Sequence, residues 1–500
     1  MHLSTLLLAA ALLGVAGCSD PSAPSAGAER DGQVRYGALA FTPCSLSATG
    51  VSSVEAQCTT LRVPENHADP GGRAIDLAVA WVPARGMAEP DPIVMIAGGP
   101  GQSALESYPM VDNAFSDALR NRDVILLDAR GTGGSHPLKC ADAEGNSAFT
   151  DDAPTADAAR AFAERCRDTL AKTSDLRFYG TADHVRDLET LRAALRAPQF
   201  NLVGVSYGTR VAQQFARAYP ERTRTVLLDS VVPNTLVLGQ DHARNLEAAL
   251  TAQFARCRAD KACLGALGDP ARHLDAVRAT LQAGGIAPVR FRDPTGGQWR
   301  DASPAYGDLV GLLRMYSYQP QVAATLPLLL NEAAQGRYES LLAQSRMLTG
   351  NVSDSIMHGM QLSVMCTEDA VDMRVDAADA RTVLGNELVG YAKEQCAVWP
   401  KGVRSAGFRE PLSGPLPVLA ISGEFDPVTP PRYGDQVVAS LPNGRHLMLP
   451  GQGHSVLGAG CMPKLFAQFV ERADARALDA DCLKRLTPMA PFAGYYGWEP

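Results

Sequence analysis

Apolar residues recur along this chain in two rhythms, and the change between them outlines its organisation. Ile75 to Val82 reads as a strand. Pro92-Ile93-Val94-Met95-Ile96 and Asp123-Val124-Ile125-Leu126-Leu127 are short apolar runs of the kind buried on both faces. Phe200 to Val203 and Thr225 to Leu228 repeat the pattern, and helical spacing follows from Thr209 to Tyr219. Continuous apolar strands separated by helices predict a mostly parallel sheet with helices on both faces. From about residue 234 to 407 the rhythm turns helical. Ala243 to Arg256, Ala271 to Ala283 and Gln321 to Ala334 carry it, with few strand signals. Pro415 to Ile421 restores a buried strand, Arg432 to Leu441 reads as a helical crossover, and His446 to Leu449 is the next strand. The expected architecture is an α/β core, residues 41–235 and 411–500, interrupted by a mainly helical cap insertion, residues 236–410.

The first residues read as a targeting segment rather than as structure. Leu6 to Val15 is an apolar stretch ending in Val15-Ala16-Gly17-Cys18, which resembles a bacterial lipobox. On that reading residues 1–17 are a signal peptide and Cys18 carries a lipid. Residues 18–40, rich in Ser, Ala, Pro and Gly at their start, form a tether. A plain secretory signal is the alternative, because His2 is the only potentially basic side chain ahead of the apolar stretch. The expected location is the periplasmic or cell-surface face of a membrane, or else the medium.

Cysteine usage points to the same compartment. Of the 11 cysteines, setting Cys18 aside leaves an even number, as an oxidising compartment favours. Neighbours in sequence suggest the pairs Cys44–Cys58, Cys140–Cys166, Cys257–Cys263, Cys366–Cys396 and Cys461–Cys482. No paired C-x-x-C or H-x-x-x-H pattern suggests a metal, and no cofactor motif is present. The net charge of −8 is modest and contains no basic block, which argues against nucleic acid as a partner.

The chemistry concentrates in three loops, each following a strand. Gly204-Val205-Ser206-Tyr207-Gly208 stands between an apolar strand and a helix, the context of a nucleophile elbow. Glycines on either side of so tight a turn avoid clashes, and Ser206 becomes the candidate nucleophile. The N–H of Tyr207 is then one oxyanion donor. The other is expected from Gly98-Gly99-Pro100-Gly101, after the 92–96 strand, with Gly99 favoured. In α/β-hydrolases the acid and then the histidine follow the serine in chain order. Asp426 lies just past one strand, in Glu424-Phe425-Asp426-Pro427, and His454 lies past the next, in Gly451-Gln452-Gly453-His454. Glu424 is the rival acid. His136, His184 and His358 do not follow strands in the required order. Active residues gather at the carboxyl ends of parallel strands, so the three candidates should share one edge of the sheet.

Taken together, these motifs resemble the prolyl iminopeptidase-like serine peptidases, and most closely their secreted tripeptidyl aminopeptidase branch. The marks are Gly98-Gly99-Pro100-Gly101-Gln102-Ser103, the loop Asp128-Ala129-Arg130-Gly131-Thr132-Gly133-Gly134-Ser135, and the serine motif. Ser363-Val364-Met365-Cys366-Thr367-Glu368-Asp369, Asp426-Pro427-Val428-Thr429-Pro430 and Gly453-His454 continue the match. Ala97 and Ala129 depart from the histidine and glutamine usual in prolyl iminopeptidases. The resemblance implies an α/β-hydrolase fold and exopeptidase action on peptides with a free N-terminus. It also implies a carboxylate for the substrate ammonium, a role that falls to Glu368, with Asp369 as its rival. Arg130 is expected to brace its loop rather than touch substrate. A serine esterase of the same fold is the competing reading, and a non-catalytic lipoprotein binding module a further one. Ser206 argues against dehalogenase and epoxide hydrolase chemistry, which use aspartate at the elbow.

Overall fold

The computed structural model describes residues 33–140, 155–352 and 355–497. The signal peptide, Cys18 and most of the tether lie outside the described residues. Four strands open the fold: β1 (Val34–Tyr36), β2 (Leu39–Leu46), β3 (Val54–Pro64) and β4 (Ala74–Val82). They form an antiparallel meander. Next come β5 (Ile93–Ile96), β6 (Val124–Leu127), β7 (Phe200–Val205) and β8 (Thr223–Asp229). A small hairpin of β9 (Val289–Arg292) and β10 (Trp299–Ala302) stands apart, and β11 (Val418–Gly423) and β12 (Gly444–Leu449) complete the set. The large sheet has the order β1-β2-β3-β4-β6-β5-β7-β8-β11-β12. From β6 to β12 every pairing is parallel.

Alternate residues of the parallel strands enter different cores, which is why their sequences read as unbroken apolar runs. Val94, Ile96, Leu202, Val226, Leu228, Val418 and Ala420 belong to one core, and Ile93, Met95, Val203, Leu227, Leu419 and Ile421 to the other. Each fully buried aliphatic side chain contributes about 1.5–3 kcal/mol, so this double burial fixes the register of the strands that carry the candidate loops.

Several expectations are corrected. The tether expected through residue 40 gives way to strand at Val34. β4 is not one of the parallel strands: it runs antiparallel to β6, and its alternating burial marks the change. The helix expected over 321–334 is two helices, Pro320–Ala323 and Leu326–Ala334. Pro327 sits in the first turn of the second, where its missing N–H costs nothing, but it cannot continue the first. The insertion is also not one body. Its outer part has its own core, around Leu246, Leu250, Phe254, Leu309, Leu313 and Leu330. Met360, Leu362, Val364, Cys366, Cys396 and Trp399, from its later part, join the core of the sheet.

Five disulfides join Cys44–Cys58, Cys140–Cys166, Cys257–Cys263, Cys366–Cys396 and Cys461–Cys482. Among the described residues no helix is long and apolar enough to cross a membrane.

Candidate active site

Ser206 follows β7 immediately and precedes the helix Tyr207–Ala218. Its backbone has φ 55° and ψ −121°, a conformation that costs a non-glycine residue on the order of 1–3 kcal/mol. The elbow holds because its neighbours are small. A Cβ on Gly204 would lie 2.5 Å from the Gly208 carbonyl oxygen, and one on Gly208 would lie 2.2 Å from that of Ile96. Ser206 N–H donates to the Asp229 carbonyl at 2.8 Å, so the strained residue is pinned to the end of β8. Its side chain remains partly exposed.

The loop after β5 packs against this turn. A Cβ on Gly98 would stand 3.0 Å from Ser206 Cβ, and Gly99 takes φ 102°, open in practice only to glycine. Tyr207 opens its helix, so its N–H has no partner within that helix. Asp128 ties the Gly98–Ser103 loop to the 128–135 loop: its carboxylate accepts from Ser103 Oγ at 2.6 Å, Leu105 N at 3.0 Å and Gly134 N at 3.0 Å. Arg130 is fully buried and grips Asp187 with two bonds of 2.7 Å, while also donating to the Glu65 and Phe178 carbonyls.

Asp426 and His454 follow β11 and β12, whose ends are in register at Gly423 and Leu449. The structure brings the two side chains together: His454 Nδ1 lies 2.8 Å from Asp426 Oδ2. The carboxylate also accepts from Val428 N, Thr429 N and Thr429 Oγ1, each at 2.8 Å. Burial opposes its ionisation, but the His454 charge and these donors outweigh burial and hold the carboxyl below the ordinary range. Burial likewise works against the imidazolium of His454, and the charge and hydrogen bond of Asp426, with Asp229 behind them, raise its pKa above 6.5. Glu424 is occupied elsewhere, accepting from Gly451 N at 2.8 Å. The ring of Tyr318, from the insertion, packs edge-on against His454 with centroids 5.0 Å apart. The Tyr318 carbonyl accepts from His454 N at 2.8 Å.

Glu368 and Asp369 are buried and bonded within the protein. Asp369 is fully buried and spent on Arg210 and Arg409, each at 2.9 Å, and on the N–H of Leu238. Glu368 is 2 % exposed, accepting from Thr181 N at 2.7 Å and Thr181 Oγ1 at 2.8 Å, and Thr181 Oγ1 in turn meets Tyr207 OH at 2.6 Å. Both residues sit in the later part of the insertion, which packs on the sheet. Burial, with Asp369 adding to it, pushes the Glu368 carboxyl up to about 7. A group that holds its proton more tightly when folded stabilises fully below its ordinary 4.5, and that contribution is lost as pH rises through about 7. Glu368→Gln should therefore stabilise the protein at pH 8 by on the order of 1 kcal/mol or more and very little at pH 5. Thermal melts at the two pH values check this. Its cost to hydrolysis should be the same on free and N-acetylated substrates.

The three other histidines weighed in the sequence lie apart from this pair. His136 meets Ser174 Oγ at 2.9 Å, and His358 is buried against Gln361. Burial above all holds His184 neutral, at about 4. Sequence reasoning missed Asp229, a buried carboxylate at the end of β8 that accepts from the backbone of the His454 loop. Its only sequence signal was a polar residue closing an apolar strand. Among the described residues no cluster of His, Cys, Asp and Glu is built to hold a metal ion.

Comparison with known proteins places this arrangement. A family described as alpha/beta hydrolase fold matches residues 91–283, and one described as TAP-like protein matches residues 382–482. Serine protease Hip1 of Mycobacterium tuberculosis is 27% identical over 458 residues, covering 84% of this chain and 86% of that protein. A tripeptidyl aminopeptidase of Streptomyces lividans is 26% identical over 403 residues, 75% of this chain and 73% of that protein. Carboxylesterase B of M. tuberculosis is 27% identical over 418 residues, 77% and 78% of the two chains. The chain is a serine hydrolase with the α/β-hydrolase fold, similar over most of its length to serine protease Hip1 and to the tripeptidyl aminopeptidases.

Proposed function

We propose that this chain is an exported serine exopeptidase that cleaves peptide bonds near free N-termini through an acyl-enzyme. Ser206 Oγ attacks the scissile carbonyl and gives its proton to His454 Nε2. Asp426 holds the imidazole so that Nδ1–H points at its carboxylate, and stabilises the imidazolium that forms. The N–H groups of Tyr207 and Gly99 receive the oxyanion. His454 returns the proton to the leaving amine, and water then releases the acyl group by the same steps in reverse. The observation that carries this reading is the buried Asp426–His454 pair at 2.8 Å, on strands parallel to the one that ends at the strained Ser206. Exopeptidase action draws its support from the tripeptidyl aminopeptidase relatives.

The deciding experiment offers the protein aminoacyl, dipeptidyl and tripeptidyl fluorogenic amides, each free and N-acetylated. Rapid cleavage of free forms and little of acetylated ones is the expected result. Equal cleavage of both would remove the exopeptidase reading. One relative favours a second reading: the carboxylesterase predicts small esters cleaved and every amide in the panel left intact.

Because His454 must be neutral to accept a proton, activity should rise with pH along an acid limb centred above 6.5. A limb centred below that value would contradict the geometry that raises it.

The five disulfides support export, and the lipobox-like ending at Cys18 supports a lipid anchor on an exported face. Cys18→Ser should move the protein from the membrane fraction to the soluble exported fraction. A wild-type protein found wholly soluble would leave the plain secretory signal.

A further inference from the structure

We infer that Asp229 is a positioning residue for the proposed reaction: it fastens the His454 loop to the serine elbow and sets a second negative charge, besides that of Asp426, near the imidazole. The inference rests on His454 acting as the base.

Asp229 joins two loops that the chain order keeps far apart. Its carbonyl accepts from Ser206 N at 2.8 Å. Its carboxylate accepts from Val456 N through both oxygens at 2.9 Å, and from Leu457 N at 2.9 Å. Ser230 Oγ donates to it at 3.2 Å while accepting from Ser455 N at 2.8 Å. Ser230 and Ser455 both take positive φ, 60° and 65°, so these bonds hold two strained residues in place beside His454.

The ionisable carboxyl is what needs explaining. Asp229 is 1 % exposed, and among the described residues no cation stands within ion-pair distance of it. Charge buried without a cation is costly. An asparagine would keep one oxygen for Val456 N and Leu457 N, but it would set an amide NH2 where Oδ1 stands, 2.9 Å from Val456 N and facing the Ser230 hydroxyl that donates there. The carboxylate is therefore the acceptor this loop needs, and its charge is among those that favour the His454 imidazolium. Burial raises this carboxyl to about 6, against the pull of the Val456 and Leu457 N–H groups and of His454. The groups facing His454 are Asp426 and Asp229, which favour the imidazolium, together with His242 and the ring of Tyr318, whose hydroxyl is bonded to Arg314.

Asp229→Asn removes the charge, and the acid limb separates that loss from the loss of the Oδ1 acceptor. Removing a negative charge lowers the pKa of His454, so the acid limb should move to lower pH. The experiment measures kcat and kcat/KM against pH for wild type, Asp229→Asn and Ser206→Ala on a p-nitrophenyl ester, with thermal melts in parallel. The ester reports the shared chemistry whether the natural bond is amide or ester. The expected result is an acid limb lowered by about half a pH unit or more. The plateau kcat should fall about 3- to 10-fold, the rate equivalent of half to one pKa unit, with KM little changed. The melting temperature should fall modestly, reporting the lost acceptor for Val456 N and Ser230 Oγ, while the acid limb reports the charge. An acid limb that coincides with wild type overturns the inference, whatever the rate, because a purely architectural residue would not move it. Should Asp229→Asn fail to fold, the His454 ring proton in wild type carries the test by NMR. Two coupled steps are expected, and a single step with no acidic partner overturns the inference. Ser206→Ala hydrolysing as fast as wild type would sink the assignment of the site itself, a failure distinct from either of these.

Discussion

Ser206→Ala is expected to reduce hydrolysis by orders of magnitude, up to about 10⁶ in kcat if the serine, histidine and acid act as one unit. The loss should come without loss of fold. The Ser206 side chain is partly exposed, and its backbone amide, not its hydroxyl, is the group bonded to Asp229. A companion variant makes the same point from the opposite direction. Ser206→Gly removes the Cβ that makes φ 55° costly, so it should melt higher than wild type while being equally inactive. Labelling by a serine-reactive phosphonate, located by peptide mass spectrometry, completes the test. A label on another residue, or retained activity in the alanine variant, removes Ser206 as the nucleophile.

The next largest effect is expected at Asp426. Asp426→Asn should lower kcat by about 10⁴, because an amide nitrogen facing Nδ1 favours the tautomer whose proton sits on Nε2, the atom that must accept one. The protein should still fold: Oδ1 can keep its bonds from Val428 N and Thr429 N. Glu424→Gln is the control. Its carboxylate serves Gly451 N, a task an amide oxygen performs as well, so activity should stay within a few-fold of wild type. Initial rates at the pH optimum decide between them, and a severe loss in Glu424→Gln with little in Asp426→Asn would transfer the acid role.

The parallel half of the sheet was legible in the sequence because each of its strands is buried on both faces. Ile93–Ile96, Val124–Leu127 and Val418–Ile421 announce themselves without any knowledge of their neighbours. Ser206, Asp426 and His454 could be picked out one at a time for a related reason: each follows such a strand. The first three strands of the opening meander were not legible. β2 and β3 mix Thr, Cys, Gln and Arg with apolar residues, so no unbroken apolar run marks them. The break at Pro327 was visible as a residue but was overridden by the apolar periodicity around it. The burial of Glu368 was hidden for a deeper reason. A carboxylate beside a bridged cysteine looks the same in sequence whether its helix faces a cleft or lies against the sheet, and only the packing of Met360, Leu362 and Val364 decides which. Asp229 was hidden likewise, since its partners are backbone N–H groups more than two hundred positions away.

The division of the insertion bears on how such an enzyme changes its diet. Residues from His242 to about 350 carry most of a separate apolar core, which Val383 and Leu384 join, and the short Cys257–Cys263 staple, and they reach the candidate histidine through the Tyr318 carbonyl and ring. Two of the later helices are joined to each other by Cys366–Cys396, and Asp369 fastens them to Arg210 of the helix that follows β7. The chain is thus arranged like a tool with a fixed handle and a separate bit. Substitutions in the first portion can therefore accumulate away from Tyr318, whereas a change there reaches His454 directly.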